Sequence, residues 1–182
     1  MNETHGANLK KVAIQDLYPD HLAYCYGCGR LNKHGYHLKT YWLNDEETVA
    51  YFTPKPYHIA VPGYVYGGLI ASIIDCHGTG SAAAFAAKAR GQEDNPPRFL
   101  TASLHVDYLK PTPLGPQLEL RGRAKEVKGR KVVIEVKLFA EGELCARGEV
   151  VCVEVPDRYI QELLENARSL TSQSPEVDKA QP

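Results

Sequence analysis

The stretch from Gly63 to Gly91 combines a pair of adjacent glycines with a single carboxylate in an otherwise small, apolar run (GYVYGGLIASIIDCHGTGSAAAFAAKARG). An ionised carboxylate in apolar surroundings is costly unless it is hydrogen-bonded, protonated or open to a cavity. Asp75 is therefore either a group that handles protons at a site or a structural partner of Ser72 or Thr79, each one helical turn away.

The glycine pair, Gly67-Gly68, lies where the predicted helix begins. The first amides of a helix have no partner within the helix, and the helix dipole is positive there. Because glycine lets a substrate oxygen come close, such amides can hold a developing oxyanion in acyl transfer. The same pair also suits a tight turn.

The spacing between Gly67 and Asp75 constrains any shared chemistry. Eight residues at 1.5 Å each separate the two by about 12 Å along one helix. A base and an oxyanion donor that act on one carbonyl must lie much closer together. If both are catalytic, the Asp75 of one chain must meet the Gly67 of another, and the protein is at least a dimer.

Two further cysteines form a Cys25-x-x-Cys28 motif near the start of the chain. A zinc site would need two more ligands, for which His34 and His37 are the nearest candidates, but the spacing fits no standard zinc finger. A redox motif would need a helix N-terminus in a thioredoxin-like unit, which the sequence lacks. The motif therefore predicts a turn with small buried thiols and no metal ligands.

Composition excludes several classes of function. The 182 residues suit one domain, and a formal net charge of -1 gives no basic field for nucleic acid or an anionic membrane. The only long apolar stretch contains Asp75 and His77, which argues against a membrane span. The N-terminal residues lack the apolar core of a signal peptide, so the five cysteines are expected to be reduced thiols in a cytoplasmic protein.

Hydrophobic periodicity predicts two strands, a long helix, four long strands and a terminal helix. The four strands are expected to form an antiparallel meander, because Lys128-Gly129 and Glu141-Gly142 are hairpin signals. One helix and one sheet must cover each other, so the sequence predicts an α+β hotdog fold, a long central helix wrapped by about six antiparallel strands. The predicted strands are 36–43, 48–53, 99–109, 117–127, 130–140 and 143–155, and the helices are 67–89 and 156–170.

These elements divide the chain into four parts. Residues 1–23 are an N-terminal extension and residues 24–155 the hotdog domain. Residues 156–170 are a C-terminal helix, and residues 171–182 are expected to be a disordered polar tail.

Three motifs resemble the PaaI-type branch of the hotdog-fold thioesterase superfamily over residues 24–155. The run from Pro62 to Ala71 (PGYVYGGLIA), with Asp75 nine positions after Tyr66, is similar to that family's P-G-x-x-H-G-G pattern and its following acid. The CYGCG run at 25–29 resembles the family's CFGCG, and the YLKP run at 108–111 resembles the end of its first long strand.

The resemblance implies hydrolysis of acyl-CoA thioesters to a free acid and CoA, without a metal or redox cofactor. It assigns Asp75 as the general base or the nucleophile and the Gly67 amide of the other chain as the oxyanion donor. It assigns Thr101 to positioning the water, although Thr is also an ordinary strand residue. The implied assembly is a homodimer or a dimer of dimers. The residues expected to bind substrate are Tyr66, Gly68, His58 and Lys110.

Two positions depart from the family pattern. Tyr66 stands where the family has His, and a phenol donates a hydrogen bond but does not titrate near neutral pH. Ala60 stands where some relatives carry a polar residue, and His58 is a neighbour that could compensate. Lys110 is the expected phosphate contact because it leaves the strand that carries Thr101.

Other functions remain open at the level of sequence. The departures at Tyr66 and Ala60 favour a hotdog protein that binds acyl-CoA without turning it over, as a sensor or carrier. A structural or partner-binding module would have Asp75 locked to Thr79. A dehydratase on the same fold is a further alternative, although its Asp/His pairing is not visible in the sequence.

Overall fold

A computed structural model describes residues 12–171 and shows a six-stranded antiparallel sheet with one long helix. This confirms the predicted α+β hotdog fold. Two short 3-10 turns, Ile14–Leu17 and Asp20–Leu22, precede the sheet. The strands are β1 (Tyr41–Trp42), β2 (Thr48–Phe52), β3 (Phe99–Tyr108), β4 (Leu118–Lys128), β5 (Lys131–Ala140) and β6 (Glu143–Glu154), and the helices are α1 (Gly67–Arg90) and α2 (Asp157–Thr171).

The strand order is β1-β2-β4-β5-β6-β3, so the predicted four-strand meander is wrong in one respect. Of these four strands only β4, β5 and β6 are joined by hairpins, whereas β3 pairs with β6 at the far edge of the sheet. The amides of Leu109 and Lys110 both donate to the Cys145 carbonyl, which holds the end of β3 beside β6. The proline-rich segment that follows then crosses to β4 instead of making a tight turn.

The first predicted strand is much shorter than expected, because the sheet pairs only Tyr41 and Trp42 of the interval 36–43. The preceding backbone groups find partners in the N-terminal segment instead. The Tyr36 and Leu38 amides donate to the carbonyls of Tyr26 and Gly27. The Thr40 carbonyl accepts from the Ile14 amide. The backbone groups of residues 36–40 therefore find hydrogen-bonding partners in the N-terminal segment and not in the sheet.

Helix α1 lies against the sheet and is buried from Leu69 to Ala87 on its core-facing sides. Its internal glycines are explained by packing, since a Cβ at Gly78 would lie 2.5 Å from Val150 Cγ2 on β6. A Cβ at Gly80 would lie 2.6 Å from the Gln15 side-chain nitrogen and 2.7 Å from Thr40 Oγ1. Close contact with the sheet at Gly78 and with the N-terminal segment at Gly80 thus outweighs the cost of glycine within a helix, about 1 kcal/mol each relative to alanine.

By length and composition alone α1 could span a membrane, but 78% of its most apolar window is buried within the protein. This burial is what the core helix of a globular fold requires. The N-terminal segment adds to the same core, because Ile14 and Tyr18 belong to its cluster of buried apolar side chains. Helix α2 begins within one residue of the predicted start, and the expected disordered tail lies outside the described residues beyond Thr171.

Candidate active site

Asp75 lies in the middle of α1 and is half-buried, with its carboxylate directed at the edge strand β3. Thr101 Oγ1 donates a 2.5 Å hydrogen bond to Asp75 Oδ1. The alternative partners are otherwise engaged, because Ser72 donates to the Gly68 carbonyl and Thr79 to the main-chain carbonyls of residues 75 and 76. The structure therefore brings together Asp75 and Thr101, the two side chains to which the family resemblance assigned roles, and pairs the Asp75 carboxylate with neither Ser72 nor Thr79.

The position of Thr101 depends on an irregularity in β3. The register between β3 and β6 shifts between Thr101 and Ser103. Such a bulge re-aims the neighbouring side chains, and bulges are common next to active sites. Thr101 is half-buried on a strand whose following residues, from Ala102 to His105, are exposed.

Burial is the main electrostatic influence on Asp75 and raises its pKa. The hydrogen bond from Thr101 and the positive charge of Arg98 act in the opposite direction, because both favour the ionised carboxylate. An unpaired carboxylate would be unfavourable at this depth. With one donor and one nearby cation, the group can hold or accept a proton without leaving its place in the helix.

The start of α1 is formed by Gly67 and Gly68, with Tyr66 as the residue before the helix. The first intrahelical amide bond is made by Leu69, so the two glycine amides precede the helical ladder. The Tyr108 hydroxyl donates a 2.9 Å hydrogen bond to the Gly67 carbonyl and ties this terminus to the end of β3. A Cβ at Gly68 would lie 2.5 Å from the Tyr66 ring, so the ring folds back over the glycine.

Tyr66 itself is exposed and held through its backbone, since its amide donates to the His58 carbonyl at 2.9 Å. The His58 ring stacks on Phe52 with centroids 5.7 Å apart. Its Nδ1 accepts a hydrogen bond from the Lys55 amide. Burial, and then the charge of Lys55, lower the pKa of His58. His58 therefore supports the loop before α1, and its ring lines an aromatic cleft of about 310 Å³ rather than the Asp75 site.

Lys110 lies on the surface after β3, where its ammonium is paired with the carboxylate of Glu143. The structure thus places it near the end of the strand that carries Thr101 but not in contact with Asp75. A phosphate would have to compete with Glu143 for this cation.

The edge strand β3 is exposed over most of its length, and in the described part of the chain it has a neighbour on one side only. Leu100, Leu104 and Tyr108 are 47%, 37% and 54% exposed. An uncovered apolar edge strand is unfavourable for a protein alone in water and is a ready surface for pairing with another chain.

One cluster beside the site was not predicted. The Sγ atoms of Cys25, Cys28 and Cys76 lie within 4.8 Å of one another. The two histidines considered as ligands do not join them: His34 is exposed, and the His37 ring contacts the Asn32 carbonyl. Cys76 lies 51 residues from Cys25 in the chain, and no local spacing signals their contact.

Comparisons with known proteins agree with this geometry. Residues 62–146, which contain α1, β3, β4 and β5, match the family model described as the thioesterase superfamily. A solved thioesterase superfamily protein from Shewanella loihica PV-4 is 57% identical, with a TM-score of 0.57. That match covers 69% of this chain and 96% of the Shewanella chain.

Curated relatives are more distant. The acyl-coenzyme A thioesterase THEM4 of Xenopus laevis is 34% identical over 88 residues, and that of Mus musculus is 32% identical over 90 residues. These matches cover 48% and 50% of this chain, but only 35% and 34% of the relatives, so the chain spans about a third of their length. Because this chain is 57% identical to the Shewanella protein and covers 96% of it, the chain belongs to the hotdog-fold thioesterase superfamily.

Proposed function

We propose that this protein hydrolyses acyl-CoA thioesters to a free acid and CoA. The observation that carries the proposal is the half-buried carboxylate of Asp75, held by Thr101 on the core helix of a thioesterase-superfamily fold. The similarity to acyl-coenzyme A thioesterases supports CoA as the leaving group.

In the proposed reaction, Asp75 accepts a proton from water while the water oxygen attacks the thioester carbonyl carbon. The carbonyl oxygen becomes an oxyanion, and the Gly67 amide of a second subunit donates a hydrogen bond to it. When the tetrahedral intermediate collapses, the carbon–sulfur bond breaks, and the thiolate of CoA takes up the proton held by Asp75, which restores the carboxylate. Thr101 keeps the carboxylate oriented throughout.

The same residues allow a covalent variant of this reaction. An Asp75 carboxylate oxygen would attack the thioester carbonyl carbon, the carbon–sulfur bond would break and CoA would leave as a thiolate that takes up a proton from solvent. Water would then hydrolyse the resulting mixed anhydride to the free acid and the Asp75 carboxylate. A single turnover in ¹⁸O-labelled water detects an anhydride that is opened at its aspartyl carbonyl, whereas attack at the acyl carbonyl labels the released acid in either route. General-base catalysis places the label in the released acid, whereas water attack on the aspartyl carbonyl of an anhydride leaves label in the protein.

The reaction requires a homodimer or a dimer of dimers. Asp75 and Gly67 are about 12 Å apart along one helix, too far to act on one carbonyl. The exposed edge of β3 offers a surface on which two copies can pair, and Thr101 lies on that strand. Pairing there brings the partner's chain towards the Asp75 site.

The remaining assignments complete the proposal. Tyr66 and Gly68 border the carbonyl site at the helix start, His58 supports the loop beside them, and Lys110 contacts a CoA phosphate. Carboxylate, water and amide suffice for the hydrolysis, so it needs no metal or redox cofactor. The five free thiols agree with a reducing, cytoplasmic environment.

A non-catalytic acyl-CoA-binding protein is the alternative, favoured by Tyr66 in place of the family's His. Its test is the same experiment as that of the main proposal. A panel of acyl-CoAs of different chain length and aromaticity is incubated with the protein and with Asp75→Asn, and free thiol is followed over time. Turnover by the parent protein that is absent from Asp75→Asn supports hydrolysis. Binding of acyl-CoA by calorimetry without thiol release supports the alternative.

A further inference from the structure

Three cysteine side chains from distant parts of the chain meet one residue away from the candidate catalytic carboxylate. Cys25 and Cys28 come from the loop before the sheet, and Cys76 comes from α1. Their Sγ atoms lie within 4.8 Å of one another, and those of Cys25 and Cys76 are 3.8 Å apart. All three are free thiols. The proposed hydrolysis assigns them no role.

The separation of the sulfur atoms fits shared coordination of one ion. Thiolates bind Zn²⁺ at about 2.3 Å, which places two sulfurs of a tetrahedral site about 3.8 Å apart. The distance from Cys25 to Cys76 already has this value. This distance is nearly twice the length of a disulfide bond, about 2.05 Å, so Cys25 and Cys76 are adjacent thiols without a covalent bond between them.

The loop that carries two of these cysteines is shaped to present them. Its turn is closed by a 2.7 Å hydrogen bond from the Gly29 amide to the Cys25 carbonyl. Gly27 packs so tightly on α1 that an added Cβ would lie 2.2 Å from Cys76 Sγ.

Burial and charge around the cluster also suit a metal. Cys28 and Cys76 are 3% and 5% exposed, whereas Cys25 is only half-buried, so the cluster opens towards solvent on the Cys25 side. A dication with three thiolates carries a net charge of -1. The Arg98 guanidinium lies near enough to Cys25 and Cys28 to interact electrostatically with both and can offset that charge.

We propose that Cys25, Cys28 and Cys76 bind one thiophilic divalent cation of the Zn²⁺ type, with the fourth position taken by a solvent molecule on the Cys25 side. The thiols lose their protons to solvent on binding. The bound ion joins the 25–28 loop to the middle of α1 and fixes the helix turn that carries Asp75. The proposal differs from the expectation of unligated thiols, because that expectation considered only Cys25 and Cys28 and not Cys76.

The test uses fully reduced, chelator-treated full-length protein titrated with Co²⁺ as a spectroscopic probe and then with Zn²⁺. We expect sulfur-to-cobalt charge-transfer absorption that saturates at one equivalent and is displaced stoichiometrically by Zn²⁺. Cys76→Ser should lower the apparent affinity at least 100-fold. Cys145→Ala, which removes a buried thiol outside the cluster, should leave the affinity unchanged. X-ray absorption of the zinc form should show three sulfurs and one lighter atom.

A variant that retains all the thiols tests whether a loss of metal affinity could come from misfolding and not from the loss of a ligand. In Gly27→Ala all five thiols remain, but the added Cβ displaces Cys76, so the affinity should fall at least tenfold while far-ultraviolet circular dichroism is unchanged. Zn²⁺ should raise the Tm of the parent protein but not that of Cys76→Ser. The proposal is overturned if reduced protein shows no thiolate–cobalt absorption, if Cys76→Ser binds as tightly as the parent, or if Cys145→Ala loses affinity equally.

Discussion

Asp75 and His77 lie two residues apart on α1, on opposite sides of the helix, and they have different surroundings. Asp75 faces the exposed edge strand and is half-buried, with a hydrogen bond from Thr101. His77 faces the N-terminal segment and β2 and is fully buried. The Thr40 hydroxyl lies 3.1 Å from Nδ1 and the Thr48 hydroxyl 3.5 Å from Nε2 of its ring.

The two sides also differ in how completely their polar groups are enclosed. Burial lowers the pKa of His77 to about 3, so the ring is neutral and serves as a hydrogen-bonding part of the core. Around it Thr48 Oγ1 lies 2.6 Å from Ser81 Oγ, and Gln15 donates to Thr40. A titratable residue on a core helix thus indicates a functional site only when the fold leaves its side chain accessible to solvent or ligand. The sequence cannot make this distinction, because both residues lie in the same apolar run.

The largest expected effect separates these two residues. Asp75→Asn should lower kcat at least 100-fold, because the amide cannot accept a proton from water, and it should change the free energy of unfolding by less than about 1 kcal/mol. His77→Leu should do the reverse: about 2 kcal/mol of stability is lost with its two hydrogen bonds, and kcat per folded molecule is kept. Thiol-release kinetics and urea unfolding measure both. Wild-type turnover in Asp75→Asn would rule out the proposed role of Asp75.

A second pair of substitutions applies the comparison to glycines of the same helix. An alanine at Gly67 fits, because its Cβ would lie 3.5 Å from the Tyr108 ring, but it would crowd the amide offered to the oxyanion. Gly67→Ala should therefore lower kcat/KM about tenfold with little loss of stability. Gly78→Ala collides with Val150 and should cost about 1–3 kcal/mol with activity per folded molecule retained. If both variants lost activity and stability to the same extent, the distinction between a catalytic Gly67 and a packing Gly78 would be wrong.

A smaller effect is expected at Thr101, which acts through Asp75. Thr101→Val has nearly the same shape and lacks the donor to Asp75 Oδ1, so kcat should fall about tenfold, as expected for the loss of a hydrogen bond to a charged group. KM should stay within a factor of two. Thr101→Ser restores the hydroxyl and should recover most of the rate. Failure of serine to rescue would mean that the methyl group, and not the hydrogen bond, is what matters.

The smallest change is expected when Tyr66 is replaced by the family residue. Tyr66→His should not lower thioesterase activity and can raise it by a small factor, because either side chain is able to donate a hydrogen bond to a substrate from the residue that precedes the helix. Acyl-CoA turnover of the variant and the parent protein, measured side by side, checks this. A large loss would show that the phenol has a direct role, such as holding the acyl carbonyl, and would leave the role of Asp75 unchanged.

Periodicity and turn chemistry were sufficient for most of the fold. The alternation in the four long strands predicted each to within two residues at either end, and the hairpin at Glu141-Gly142 has the two positive φ angles, 51° and 80°, that such turns need. The long run of small apolar residues predicted α1, and the structure shows it packed closely on the sheet. These features are local, and the sequence alone determined them.

Long-range partners were decided only by the tertiary structure. The edge position of β3 depends on main-chain bonds to Cys145, and the shortness of β1 on bonds to residues 14, 26 and 27, none of which has a local signal. The same holds at the site. Sequence marked Asp75 and Gly67 through their motif, and the family resemblance added Thr101. The rotation of the helix against the sheet and the N-terminal segment decides whether Thr79 or Thr101 holds the Asp75 carboxylate. The same rotation brings Cys76 to the Cys-x-x-Cys loop. The packing of the whole core sets this rotation.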